Sequence, residues 1–268
     1  MKNLILSMAF TLNFPLVAQA ETLRMAVTTS FENSGLADIL LPAINDELDI
    51  QVQLLVVGTG QALTLGAAGD VDAVLVHSRT AEDAFVAAGH ATHRREIMYN
   101  DFVLIGPTAD PAQIAGAETA AEALRKIDET DVIFVSRGDD SGTHKMELSL
   151  WQSAGIAPDD LGVPYRSVGS GMGAALNTAS GLNAYILSDR PTWLTFGNKG
   201  DLSLLFSGDQ VLFNPYSLLP VNPERHPHVN ADAVTKLEDW LAGPRGKEVI
   251  ESYTFDGQPL FVHSAVAD

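Results

Sequence analysis

Short apolar runs rich in β-branched residues alternate along the chain with longer segments whose apolar positions recur at helical spacing. The runs at 22–27, 49–57, 71–76, 101–105, 132–136, 165–168 and 211–216 predict strands, because such runs between turn-forming positions suit a pleated, largely buried surface. Helical spacing predicts helices over 34–46, 61–69, 81–88, 117–130, 142–154, 172–180, 188–196 and 232–241. Strands and helices alternating in this way make an α/β protein. No internal repeat, low-complexity tract or long linker divides the chain. Two segments are suited to pass between lobes: 98–107 (MYNDFVLIGP) and 210–223 (QVLFNPYSLLPVNP). If they pair as adjacent hinge strands, 21–101 and 213–268 form one discontinuous lobe, 102–212 forms the other, and a cleft lies between them.

Residues 1–20 stand apart. Lys2 precedes an apolar run from Leu4 to Val17, broken by Asn13 and Pro15, and Ala18-Gln19-Ala20 offers small residues at the two positions an export peptidase reads. The run is too short and too interrupted to span a bilayer, so it predicts a signal peptide cleaved before Glu21 and a mature protein free in the periplasm. The chain has no Cys, which removes disulfides, thiolate metal sites and cysteine nucleophiles together. A formal net charge of −18 argues against nucleic acid as a partner. It does not exclude a small anion as ligand, because distant surface charges are screened beyond about 8 Å at physiological salt.

The candidate chemistry lies in four loops, each following a strand and opening a helix, where α/β sheets bind ligands. The richest is Ser136-Arg137-Gly138-Asp139-Asp140-Ser141-Gly142-Thr143-His144. A helix start leaves backbone N–H groups unpaired at the positive end of its dipole, Ser141 and Thr143 add hydroxyl donors, and Gly142 permits close approach. Arg137 supplies a planar fork matched to oxyanions, and Asp139 is placed to hold that fork. Taken alone, this loop fits an ordinary helix cap equally well. Thr28-Thr29-Ser30, Gly58-Thr59-Gly60 and Gly169-Ser170-Gly171-Met172-Gly173 repeat the same chemistry and turn the balance toward an anion site.

No dinucleotide or P-loop glycine pattern occurs, and none of the seven His residues forms a metal-type helical pair. No cofactor or direct protein–metal ligand is therefore expected. Ser141 and His144 leave open a periplasmic serine hydrolase, although the nucleophile-elbow pattern is missing. Arg94, Arg95, Lys145 and Glu147 read as solvated surface charges.

With those motifs in order, the chain resembles the TupA family, the tungstate-binding proteins of bacterial ABC transporters. The likeness runs through Thr28-Thr-Ser, Val57-Gly-Thr-Gly-Gln-Ala-Leu, Met98-Tyr-Asn-Asp-Phe-Val-Leu-Ile-Gly-Pro, Arg137-Gly-Asp-Asp-Ser-Gly-Thr-His and Gly169-Ser-Gly-Met-Gly. It implies a two-lobe type II periplasmic binding fold, each lobe a mixed sheet flanked by helices, the two joined by hinge strands. It also implies a non-enzymatic role: capture of tungstate, or molybdate, for a permease, by a protein whose simplest form is a monomer. The implied oxyanion contacts are Thr29, Ser30, Thr59, Arg137, Ser141, Gly142 and Thr143, with Ser170, Gly171 and Met172 as weaker candidates. The arginine loop is similar to that of phosphate-binding proteins too. Phosphate keeps a proton at neutral pH and favours a carboxylate acceptor, whereas Leu75-Val76-His77-Ser78-Arg79 offers no acid where one is expected, which favours a proton-free dianion over phosphate. Sulfate shares that charge state and stays open as a ligand.

Overall fold

The computed structural model describes residues 21–157, 160–161 and 164–265; the signal peptide read at 1–20 lies outside them. The chain runs β1 (Glu21–Thr28), α1 (Thr29–Asn33), α2 (Ala37–Leu48), β2 (Ile50–Val57), α3 (Thr59–Ala68), β3 (Ala73–Val76), α4 (Arg79–Ala87) and β4 (Arg95–Pro107). It continues through α5 (Ala120–Asp128), β5 (Phe134–Ser136), α6 (Gly142–Ser153), β6 (Tyr165–Ser167), α7 (Met172–Leu182), β7 (Tyr185–Asp189), α8 (Arg190–Thr195), β8 (Leu202–Phe206) and β9 (Phe213–Pro220), and ends with α9 (Ala231–Ala242), α10 (Pro244–Ser252) and short strands near the C-terminus. The expected α/β class is observed. Among the described residues no helix is long and apolar enough to cross a membrane.

The main sheet is mixed, with strand order β2-β1-β3-β9-β4-β7-β5-β6 and β8 also on β4. The segments read as connecting strands are neighbours: β4 runs antiparallel to β9 from Arg95↔Leu218 to Asp101↔Phe213. From Phe102 onward β4 changes partner, pairing with β7 and then β8. One thirteen-residue strand thus serves both halves of the sheet.

Each half is covered by helices on both faces, and strand alternation decides which core a residue joins. On β1, Met25 and Val27 pack with Phe31, Leu36, Ile44 and Ile250, while Ala26 faces the opposite way toward Val74, Phe85 and Leu219. On β4, Phe102 and Leu104 join Phe134, Trp151 and Leu187, whereas Val103 and Ile105 join Val135, Met172 and Ile186. Four cores therefore hold the fold without a disulfide.

Several expectations need correction. The helix expected over 34–46 begins only at Ala37, as α2, and a separate short helix, α1, precedes it, because Gly35 at φ +81 turns the chain between the two. Thr29 and Ser30 lie in the first turn of α1 instead of a loop, with Thr28 Oγ1 accepting from the Phe31 amide at 3.2 Å. The helix expected over 188–196 begins two residues later: Ser188 and Asp189 end β7, and Asp189 caps α8 with Pro191 in its first turn. The strands β7 and β8 were not expected; their runs are short and flanked by polar residues. Arg94 and Glu147 are not solvated. Arg94 pairs at 2.7 Å with Glu82, whose side chain is fully buried, and Glu147 faces inward from α6 at 2% exposure. Arg95 is largely covered as well, 3.9 Å from Asp239.

Candidate anion-binding site

Four helix starts converge at the seam between the halves of the sheet. Thr29 and Ser30 open α1, Thr59 opens α3 behind its N-cap Gly58, Gly142 and Thr143 open α6 behind Ser141, and Met172 opens α7 behind Gly171. Arg137, on the loop from β5 to α6, ties them together although it is only 2% exposed. Its Nη1 donates to Ser30 Oγ at 3.2 Å and Thr143 Oγ1 at 3.4 Å; its Nη2 donates to Thr29 Oγ1 at 3.1 Å and to Asp139 Oδ2 at 2.5 Å. Thr59 Oγ1 accepts from the Gly142 amide at 3.1 Å, closing a second link between α3 and α6. A methyl group on Gly171 would lie 3.7 Å from Thr29 Oγ1, which brings the start of α7 to the same place.

The chemistry follows from who donates. A hydroxyl has one hydrogen to give and lone pairs to receive. The guanidinium fills a lone pair on Thr29, Ser30 and Thr143, and the Gly142 amide fills one on Thr59, so each hydroxyl keeps its hydrogen for another acceptor. Asp139 is spent inside the loop: Oδ2 accepts from Arg137 and Oδ1 from the Ser141 amide at 3.3 Å. Asp140 is exposed and held by Lys145. The site is thus rich in donors, and its nearest carboxylate is already committed.

Ser141 and His144 do not form a catalytic pair. Ser141 Oγ accepts from the His144 backbone amide at 3.2 Å as a helix cap, and His144 Nδ1 accepts from the Asp140 amide at 3.1 Å. Ser170 is exposed, its amide donating to the Arg137 carbonyl at 3.3 Å, and Met172 has its side chain in the core, so what it can offer a ligand is its backbone N–H.

Sequence reasoning did not assemble the polar group behind the site. His77 packs on Gly142, its Nδ1 lies 2.8 Å from Asn214 Oδ1, and Asn214 Nδ2 donates to Asn100 Oδ1 at 2.7 Å. That order makes His77 Nδ1 the donor and leaves Nε2 buried without a partner. Burial pushes His77 down to about 4, against the Asn214 hydrogen bond, so the ring is neutral at physiological pH. Asp189 is fully buried, and burial raises its pKa although Thr192 and Arg137 oppose the shift. Asn100, Asp189 and Asn214 come from three strands far apart in sequence, so no local spacing announces them.

Residues 17–245 match the family described as the PBP superfamily domain. The tungstate-binding protein TupA of Peptoclostridium acidaminophilum is 42% identical over 245 residues, which cover 90% of this chain and 85% of that protein. The chain belongs to the TupA family. Among solved structures, the tungstate ABC transporter protein of Geobacter sulfurreducens is 49% identical and superposes with a TM-score of 0.80, covering 87% of this chain and 99% of that one. The TupA structure from Desulfovibrio alaskensis G20 is 43% identical with a TM-score of 0.81, covering 92% and 100%. The two-lobe type II fold expected of a TupA protein is therefore the fold observed, and the convergent helix starts lie where its halves meet.

This geometry sets different expectations for the candidate contacts. A methyl group at Gly142 would lie 2.8 Å from His77 Cε1, so Gly142→Ala must push the ring or the helix start away. We expect that variant to bind its anion about tenfold more weakly or worse by calorimetry, and Ser170→Ala to stay within about twofold, consistent with losing roughly one hydrogen bond against none.

Proposed function

We propose that the protein is the periplasmic receptor of an ABC transporter, capturing tungstate and handing it to the permease. The observation that carries this reading is the donor arithmetic around Arg137: four hydroxyls that each already accept one hydrogen bond and keep their own hydrogen to give, beside a carboxylate already committed. Such a site suits an acceptor-only dianion and disfavours an anion that must give up a proton. The TupA relatives supply tungstate as the ion; molybdate has the same charge and shape and is the natural competitor.

In this reading Thr29, Ser30 and Thr59 act from the first lobe, and Arg137, Gly142 and Thr143 from the second, with Ser141 capping α6 so that its first-turn amides stay aligned. The lobes divide where β4 changes partner, between Asp101 and Phe102, and at Leu212 to Phe213 on the return. Bending there brings the two donor sets together over the ion. A signal peptide at 1–20 exports the protein, which works as a monomer.

Titration calorimetry of the ligand-stripped mature protein tests this. Tungstate should bind one-to-one and tightly, molybdate should compete, and phosphate should give no heat of binding. Phosphate binding as tight as that of tungstate would refute the donor argument, and no binding by any of the three would refute the receptor reading.

A further inference from the structure

His77 touches both the strands that join the two halves of the sheet and the anion site. It follows β3, which pairs with β9 up to Val76↔Ser217, and the next step of that register sets it beside Tyr216, with ring centroids 4.6 Å apart. Asn214, two residues before Tyr216, shares its face of β9 and accepts from His77 Nδ1 at 2.8 Å. Asn214 is in turn the register partner of Asn100 on β4 and donates to it at 2.7 Å. The next rung, Asp101↔Phe213, is the last before β4 leaves β9. On its far side the imidazole meets Gly142, the first residue of α6, whose lack of a side chain makes room for Cε1. A groove of about 640 Å³ opens beyond this contact, between α4 and the rest of α6, so on that flank the ring is what the start of α6 rests on.

We propose that His77 is a positioning residue for anion capture: held by the Asn100–Asn214 rung at the hinge, its ring seats the start of α6, so that lobe closure and alignment of the α6 amides on the ion form one step. This rests on the function proposed above. The two sides of the ring have different owners. Asn100, Asn214, Tyr216 and His77 belong to the first lobe, Gly142 to the second. Bending between Asp101 and Phe102 therefore leaves the bonded group intact and changes its distance to Gly142.

An imidazole turns easily about its Cβ–Cγ bond, where the preference is broad and two-fold. The hydrogen bond at Nδ1 fixes that rotation and Tyr216 lies against the ring, so α6 meets a firm stop. Gly142 is then placed by two first-lobe contacts, the polar one from its amide to Thr59 Oγ1 at 3.1 Å and the steric one from His77. The closed state is the one in which both are made. Weakening the stop favours the open state and shortens the life of the bound complex, while the first encounter of ion and open cleft precedes the contact and hardly depends on it.

The chain has no Cys, so a fluorophore pair can be attached through Thr64→Cys on α3 and Asn177→Cys on α7, exposed positions on opposite lobes. Energy transfer between them reads closure on adding sodium tungstate, and a chase with excess unlabelled protein reads release. His77→Ala should release tungstate about tenfold faster while association stays within about twofold, the size of effect that loss of one hydrogen-bonded contact from the closed state allows. Asn214→Leu keeps the volume but frees the ring, and should give the same signature. The double variant should release no more than about twofold faster than the stronger single one, because the two residues act as a unit. His77→Asn keeps a donor for Asn214 and loses the contact with Gly142; it too should release faster, and it decides the matter if Asn214→Leu does not fold. Release within about twofold of wild type in His77→Ala, slowed association in place of faster release, or effects that multiply in the double variant would each overturn the proposal. Tungstate binding with no change in transfer would overturn it as well. No tungstate binding by wild type would instead defeat the receptor reading itself.

Discussion

Arg137→Ala should lose tungstate affinity by about a thousandfold or more in titration calorimetry, the largest effect expected of any single change at the site. The guanidinium is buried and donates to four groups from three segments, so its removal does more than delete one contact. Asp139 is left with no cation opposite it, and that carboxylate then faces an incoming dianion. Thr29, Ser30 and Thr143 lose the donor that orients them, so their hydroxyls become free to turn away. Truncating one partner of a buried, hydrogen-bonded charge pair costs about 2–5 kcal/mol, and loss of the anion's own charge-assisted contacts adds to it. Arg137→Lys should recover only part of this, because a compact ammonium restores the charge but cannot reproduce the planar fork. If Arg137→Ala kept its affinity within about tenfold, the anion would have to bind away from these helix starts.

How much of this was legible beforehand depends on how far apart the cooperating residues lie. The hydroxyls at Thr29, Thr59, Ser141 and Thr143 announce themselves locally, because helix starts require such residues whatever the ligand. The Arg137–Asp139 pair, two residues apart, was readable for the same reason. Strand partners were not. That β4 would leave β9 for β7 at Phe102, or that Asp189 would end a strand and cap a helix instead of lying within one, depends on contacts spanning more than eighty residues. The charged residues were the hardest to place. Glu147 and Arg94 look like their exposed neighbours in sequence, and only the helix phase and the packed partner reveal that one is buried against Tyr165 and the other meets a buried carboxylate.

Arg94→Ala should do the opposite of Arg137→Ala, costing stability while sparing the site. Glu82 lies fully buried on α4, one oxygen accepting from the Ser78 amide at 2.5 Å and the other from Arg94 Nε at 2.7 Å. Desolvation already raises the Glu82 pKa, and Arg94 is the cation that opposes the rise. Without it the carboxylate is uncompensated, a change that costs about 3–5 kcal/mol in buried pairs. The folded-state pKa of Glu82 then climbs further above its unfolded value. For an acid shifted in that direction, stability is fully present below the unfolded pKa and is lost as pH rises through the folded one. Denaturant unfolding should therefore show a modest deficit near pH 4 and the full deficit near about pH 8. Glu82→Gln introduced into Arg94→Ala should restore much of the loss at the higher pH, because it removes the charge that has no partner. Arg94 bonds none of the hydroxyls around Arg137, so the folded variant should bind tungstate within about fivefold of wild type, a difference of roughly 1 kcal/mol. A flat pH dependence, or affinity lost in step with stability, would mean that the Glu82–Arg94 pair holds the cleft and not merely the helix beneath it.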